Sequence, residues 1–272
     1  MSEGLGLDPE RIRLVQGDTD QIPFGTGTAA AASIPVGGHS VQMVTDKMRA
    51  TCRRWAAALL EAATDDIAIE EGRFRVVGTD RSVTIEDVAS AAYDVGGTVD
   101  GLEFGLTERA IHKPIAATFP NGCHIAEVEV DTDTGTVLIC RYTIADDFGR
   151  VVNPLLLEGQ VQGGTAQGIG QALFEHCRYD PETGQLLSGS FMDYRLPRAA
   201  DLPMFRFVME NVPCATNPMG VKGAGEAGAL GAPPAVINAL VDALADLGVR
   251  HIDMPATPEH VWRAIQRASA PV

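Results

Sequence analysis

The sequence predicts an α+β fold, on three observations. Apolar residues recur at helical spacing over 39–64, and two runs, 123–131 and 136–147, alternate as a pair of strands. Helical and extended stretches do not alternate strictly enough for a doubly wound sheet. With 272 residues, 45% of them hydrophobic, the chain can bury roughly three quarters of its unfolded surface. That size allows one large domain or two small ones.

In order, IRLVQ (12–16) alternates and is expected to be a strand entered from the turn LDPE. GDTDQIPFGTGTAAAAS (17–33) reads as an irregular loop of turn residues and small side chains. Val41, Val44, Met48, Cys52, Trp55, Leu59 and Ala62 then step by threes and fours, which predicts a long amphipathic helix over 39–64. IAIEEGRFRVV (67–77) is two short strands about a turn at Glu71 and Gly72. Thr84, with Asp87 three residues on, caps the short helix IEDVASAAY. The periodic signal lapses over 96–116, the candidate boundary inside the chain. CHIAEVEVD and TVLICRYTIADD form a hairpin about Asp133-Thr134-Gly135. Asn153-Pro154 opens a second long helix reaching to about Glu175, and MFRFVMENV follows as a strand. Pro233 and Pro234 suit the first turn of a helix whose face is Val236, Ile237, Leu240, Val241, Leu244 and Leu247, with Gly248 at its C-cap. Thr257-Pro258-Glu259 starts a last helix.

The formal charge of −15 argues against nucleic acid or an anionic membrane as partner. No apolar run approaches the ~18 residues of a membrane span, and MSEGLGLDPE lacks the shape of a signal peptide. The five cysteines are scattered, with no CxxC pair, so reduced thiols in a cytoplasmic protein are expected. The six histidines form no ligand-spaced set, and no protein-ligated metal is expected.

The stretch NPMGVKGAGEAGALGAPPAVINALVDALADL (217–247) is where chemistry is expected. Its GAGEAG formally matches G-x-G-x-x-G, but no strand directly precedes it, and Glu226 would stand where a pyrophosphate must sit. Glu226 has two readings. It is either an acid stabilised near a helix N-terminus or a general base held among residues with almost no side chain. In GQVQGGTAQGIG (159–170), the glycines suit close helix packing, while Gln160, Gln162 and Gln167 offer amides to a polar ligand. GTGTAAAAS (25–33) presents backbone amides and the hydroxyls of Thr26, Thr28 and Ser33, either as an anion-binding nest or as a tightly packed loop.

Taken together, GDTDQIPFGTGT, EGQVQGGTAQGIGQALFE, GSFMDYRLP, GVKGAGEAGALGAPPAVINALVDAL and RHIDMPATPEHVWRAI resemble the molybdenum-binding large subunit of the xanthine dehydrogenase/aldehyde oxidase family. The flavour is that of aerobic carbon monoxide dehydrogenase-like large subunits. The resemblance runs from Leu5 to Ile265 in matching order. It implies a molybdenum–molybdopterin cofactor, often a cytosine dinucleotide in bacteria, held between loops. Glu226 then matches the family's base at the molybdenum, Gln160 a glutamine contacting the cofactor, and Ala30, Ala31 and Ser33 a loop against the pterin or its phosphate. Relatives commonly carry serine where this chain has Ala31. Family subunits are far longer, so residues 1–272 are expected to be the C-terminal portion of a cofactor-binding domain. A companion chain would supply the N-terminal part, and iron–sulfur and flavin (FAD) subunits would carry electrons away.

Two readings of function follow. One is part of a molybdenum hydroxylase that oxidises a small molecule with Glu226 as base, which requires burial to raise the Glu226 pKa. The other is a non-catalytic scaffold that stabilises a partner without holding cofactor. A nucleotide-binding module is the third and weakest.

Overall fold

The computed structural model describes residues 1–22, 24–25, 27–97, 99 and 101–269. They fall into two units, Met1–Thr28 with Ser33–Pro114, and Ala29–Ala32 with Ile115–Val272. Both units mix helices with small sheets, the α+β class expected.

The first unit carries a short helix α1 (Ser2–Leu5) and the long helix α2 (His39–Leu59). Strands β1 (Ile67–Glu70), β2 (Arg73–Val76) and β3 (Ser82–Thr84) follow, then α3 (Ile85–Ala92). The strands form an antiparallel sheet in the order β1-β2-β3. Cys52, Trp55, Phe74 and Val88 fill the core. Helix α2 stops before residue 64 because Glu61 adopts a left-handed φ of 45°. Its N–H and that of Ala62 turn back to the carbonyls of Ala58 and Ala57, a Schellman-type end. The Thr84–Asp87 capping box forms as expected. Residues 12–16 correct the sequence reading. They form no strand, since an alternating run without a partner has nowhere to place its backbone hydrogen bonds.

The second unit holds β4 (Asn121–Val130), β5 (Val137–Asp147) and β6 (Phe205–Met209) in the order β4-β5-β6. Strands β4 and β5 are the expected hairpin, whereas β6 pairs parallel to β5. Parallel pairing needs a crossover, and α4 (Pro154–Leu173) lies within it. Helices α5 (Ala227–Ala243) and α6 (Pro258–Ala268) complete the unit around Tyr142, Ile144, Phe148, Val161, Ile169 and Leu240.

Helices α4 and α5 meet backbone to backbone. A Cβ at Gly228 would overlap the Val161 carbonyl and stand 2.5 Å from the Thr165 nitrogen, and one at Gly168 would stand 2.8 Å from the Ala232 Cβ. Pro233 and Pro234 correct a second expectation. They lie inside α5 and not in its first turn, because the helix already starts at Ala227. Lacking N–H groups, they leave the carbonyls of Ala229 and Leu230 without helical donors. Pro233 is buried at the α4 contact, where its Cδ lies 2.9 Å from the Cβ position of Gly168.

Candidate functional site

A cavity of about 420 Å³ opens in the C-terminal unit, within the size range of small-molecule sites. One wall is backbone and methyl groups: Ala30 and Ala31 face Gly223, whose absent Cβ would overlap the Ala31 carbonyl. Ala30 and Ala31 both hold left-handed φ values, 49° and 54°. Two successive non-glycine residues in that region store strain. Phe119, Phe148 and Leu230 add apolar surface. Among the described lining residues, the ionisable side chains are Glu226, His124 and Asp146.

Glu226 stands at the N-cap of α5, and its side chain accepts no capping hydrogen bond. It is exposed within this chain, so the burial expected of it is not supplied by these residues. Its loop is anchored from two sides. Gln160, on α4, donates from Nε2 to the Gly225 carbonyl at 2.8 Å. Lys222 donates from Nζ to Asp147 Oδ2 at 2.5 Å, with both side chains about nine-tenths buried. The second Asp147 oxygen accepts the N–H groups of Gly149 (2.8 Å) and Val212 (3.1 Å). Burial alone would push the Asp147 carboxyl up; the Lys222 contact and the two N–H bonds outweigh it and hold it below the usual carboxylate range. One carboxylate thus ties the end of β5, the loop at 211–214 and the glutamate loop together.

A further polar group comes from the sheet. Register sets His124 opposite Ile144, so its diagonal neighbours on β5 are Tyr142 and Asp146. His124 Nδ1 lies 2.9 Å from the Tyr142 hydroxyl, and Nε2 lies 3.4 Å from Asp146 Oδ1. Tyr142 is fully buried, and burial with the nearby Asp146 charge pushes its hydroxyl pKa well up. Asp146 Oδ2 is buried with no hydrogen-bond partner. Two glycines make room for the group. A Cβ at Gly122 would overlap the Asp146 carboxylate, and one at Gly231 would stand 2.7–2.8 Å from the His124 ring.

Of the residues singled out in the sequence, the structure brings Ala30, Ala31 and Glu226 to one cavity and Gln160 to the glutamate loop. Gln162 instead bonds Glu158 on its own helix. Ser33 belongs to the N-terminal unit, where its hydroxyl pairs with that of Thr28 at 2.8 Å. Thr26 lies outside the described residues. Sequence reasoning missed His124, Asp146, Asp147 and Lys222. The available signal was a histidine on the inward register of a strand otherwise filled there by Ala126, Val128 and Val130, and paired aspartates where β5 ends. Among the described residues no group of three or more His, Cys, Asp or Glu side chains is placed to hold a metal ion, and no helix is long and apolar enough to cross a membrane.

Comparison with known proteins gives a consistent picture. Residues 1–203 match the family model of the molybdopterin cofactor-binding domain. The chain is 37% identical over 267 residues to the 6-hydroxypseudooxynicotine dehydrogenase complex subunit gamma of Paenarthrobacter nicotinovorans, covering 98% of this chain and 33% of that one. It is 35% identical over 263 residues to the carbon monoxide dehydrogenase large chain of Hydrogenophaga pseudoflava, covering 96% and 32% respectively. The reconstituted CO dehydrogenase structure from Oligotropha carboxidovorans superposes with a TM-score of 0.88 at 33% identity, covering 98% of this chain and 33% of that one. The chain therefore spans about a third of the length of the relatives it matches.

Proposed function

The chain belongs to the molybdopterin cofactor-binding domain family, and from that premise we propose that it forms part of the large subunit of a molybdenum hydroxylase, with Glu226 as the base. The observation that carries this reading is the sharing of one cavity by Glu226, the Ala30–Ala31 turn and Gly223. The residues present fit a cofactor of that kind. Ala30, Ala31 and Gly223 offer backbone and almost no bulk, and Gly223 lies so close to the turn that a Cβ there would overlap the Ala31 carbonyl.

When bound, the molybdenum–molybdopterin group, which the resemblance implies and which is often a cytosine dinucleotide in bacteria, supplies the two-electron redox chemistry. This chain's residues supply placement and a proton acceptor. Ala30 and Ala31 present main chain to the group. Gln160 acts through the Gly225 carbonyl and so sets the approach of the loop. Lys222 and Asp147 hold the other end of that loop. Glu226 takes a proton as a small substrate is hydroxylated, a contribution of ~10²–10⁴ in rate for a well-placed base. Working near neutral pH requires desolvation of its carboxylate. The proposal assigns that covering to a companion chain carrying the N-terminal part of the subunit, with iron–sulfur and flavin partners taking the electrons. Carbon monoxide, aldehydes and N-heterocycles are the substrate classes to assay.

The test of the site is cofactor content. In the assembled complex, Gly223→Ala, which must push the Ala31 carbonyl aside, is expected to lower molybdenum and pterin to a few per cent of wild type in protein that still unfolds cooperatively. A folded variant that retains its full molybdenum content overturns the assignment of this cavity.

A further inference from the structure

We propose that His124 and Asp146 form a second acid–base pair of the cavity, which takes from Glu226 the proton that Glu226 collects in each turnover. The inference rests on the reading of Glu226 as base. Once a covering chain desolvates Glu226, its proton needs a route other than direct exchange with solvent. Among the described lining residues, His124 and Asp146 are the other ionisable side chains. The transfer is balanced: the Glu226 carboxylic acid returns to carboxylate, neutral His124 becomes imidazolium, and the proton later passes to solvent.

The pair is built for this and not left over from packing. His124 Nδ1 is held by the Tyr142 hydroxyl at 2.9 Å, and Nε2 faces Asp146 at 3.4 Å, so an imidazolium formed there meets a carboxylate at once. Asp146 is 4% exposed, and its second oxygen is left without a partner. Purely structural polar groups in a core usually satisfy both oxygens. Gly122 and Gly231 leave the space that the two side chains occupy. Gly231, against which the His124 ring packs, and Glu226 line the same cavity. Its volume of about 420 Å³ leaves room for waters, each needing roughly 30 Å³, to carry the proton between Glu226 and His124. The groups facing His124 from its neighbours are Tyr142 and Asp146, with Glu226 on the same cavity.

Two measurements test the pair. In the cofactor-free 272-residue chain, nitrogen-15 NMR of the His124 ring should show it taking up a proton, and Asp146→Asn should move that titration to lower pH. An unchanged titration overturns the pair. In the assembled holoenzyme, His124→Gln and Asp146→Asn should each slow steady-state turnover at least ~100-fold, the scale of a lost acid–base group. The first reduction of the enzyme by substrate should stay within about twofold of wild type, and added imidazole should restore turnover in His124→Gln. Equal loss in both phases, or no loss in either, overturns the proposal. Glu226→Gln separates the two readings: if it stops the first reduction while the His124 variant turns over normally, the base stands and the relay falls.

Discussion

At the scale of single residues, the site depends on two buried carboxylates that share neither partners nor purpose. Asp147 is a strut. It holds Lys222 and two N–H groups, and its carboxyl pKa sits below the ordinary value despite burial. A depressed folded pKa means stability that is present above the unfolded value and lost as pH falls through the folded one. The contribution should therefore hold at neutral pH and begin to fade below about pH 4. Lys222→Met, which leaves Asp147 buried without its cation, is expected to cost about 3–5 kcal/mol at pH 7. The cost should shrink as the pH falls through the Asp147 transition, measured by urea unfolding at each pH. A variant as stable as wild type at pH 7 would show that the pair does not hold the loop. Asp146, the neighbour in sequence, points to the other face of β5 and meets His124 instead. That alternation separates a structural carboxylate from one placed on the cavity.

Elements explain how the glutamate loop reaches the cavity. Helices α4 and α5 approach through glycine, and the N-terminus of α5, with Glu226, is carried to the cavity by that contact. Gly228→Ala should destabilise the protein by about 1–3 kcal/mol through overpacking. Gly163→Ala, on the exposed side of α4 with open space at its Cβ position, should gain roughly 0.4–1 kcal/mol. Thermal unfolding of both variants checks the pair; equal effects would mean that the close approach is not what these glycines serve. Much of this level was legible in the sequence. Alternation marked the β4–β5 hairpin, threefold and fourfold spacing marked α2, and Thr84 marked the start of α3. What was not legible depended on partners distant in the chain. The run at 12–16 had the pattern of a strand but no neighbour, β6 paired parallel across an intervening helix, and Pro233 packs against α4 from inside α5. The site divides in the same way. Glu226 and the small-residue turn at Ala30 and Ala31 were visible in local composition, whereas the grouping of His124, Tyr142 and Asp146 exists only through strand register.

At the scale of the whole molecule, the C-terminal unit leaves large apolar side chains on its surface. Leu155 and Leu156 at the start of α4 and Leu230 beside the cavity are each about 70–80% exposed. Surfaces of this kind mark contact sites when they are contiguous, and the chain matches only about a third of its relatives' length. Binding of a hydrophobic dye to the isolated chain should fall several-fold when the companion chain is added, and unchanged binding would place the contact elsewhere. In the proposed assembly, that companion chain would supply the desolvation that Glu226 lacks here. The most direct test of the account is the turnover of the assembled complex carrying Glu226→Gln, with molybdenum measured in the same sample. The account predicts wild-type molybdenum and a loss of at least ~100-fold in turnover; full molybdenum with near-wild-type turnover would contradict it.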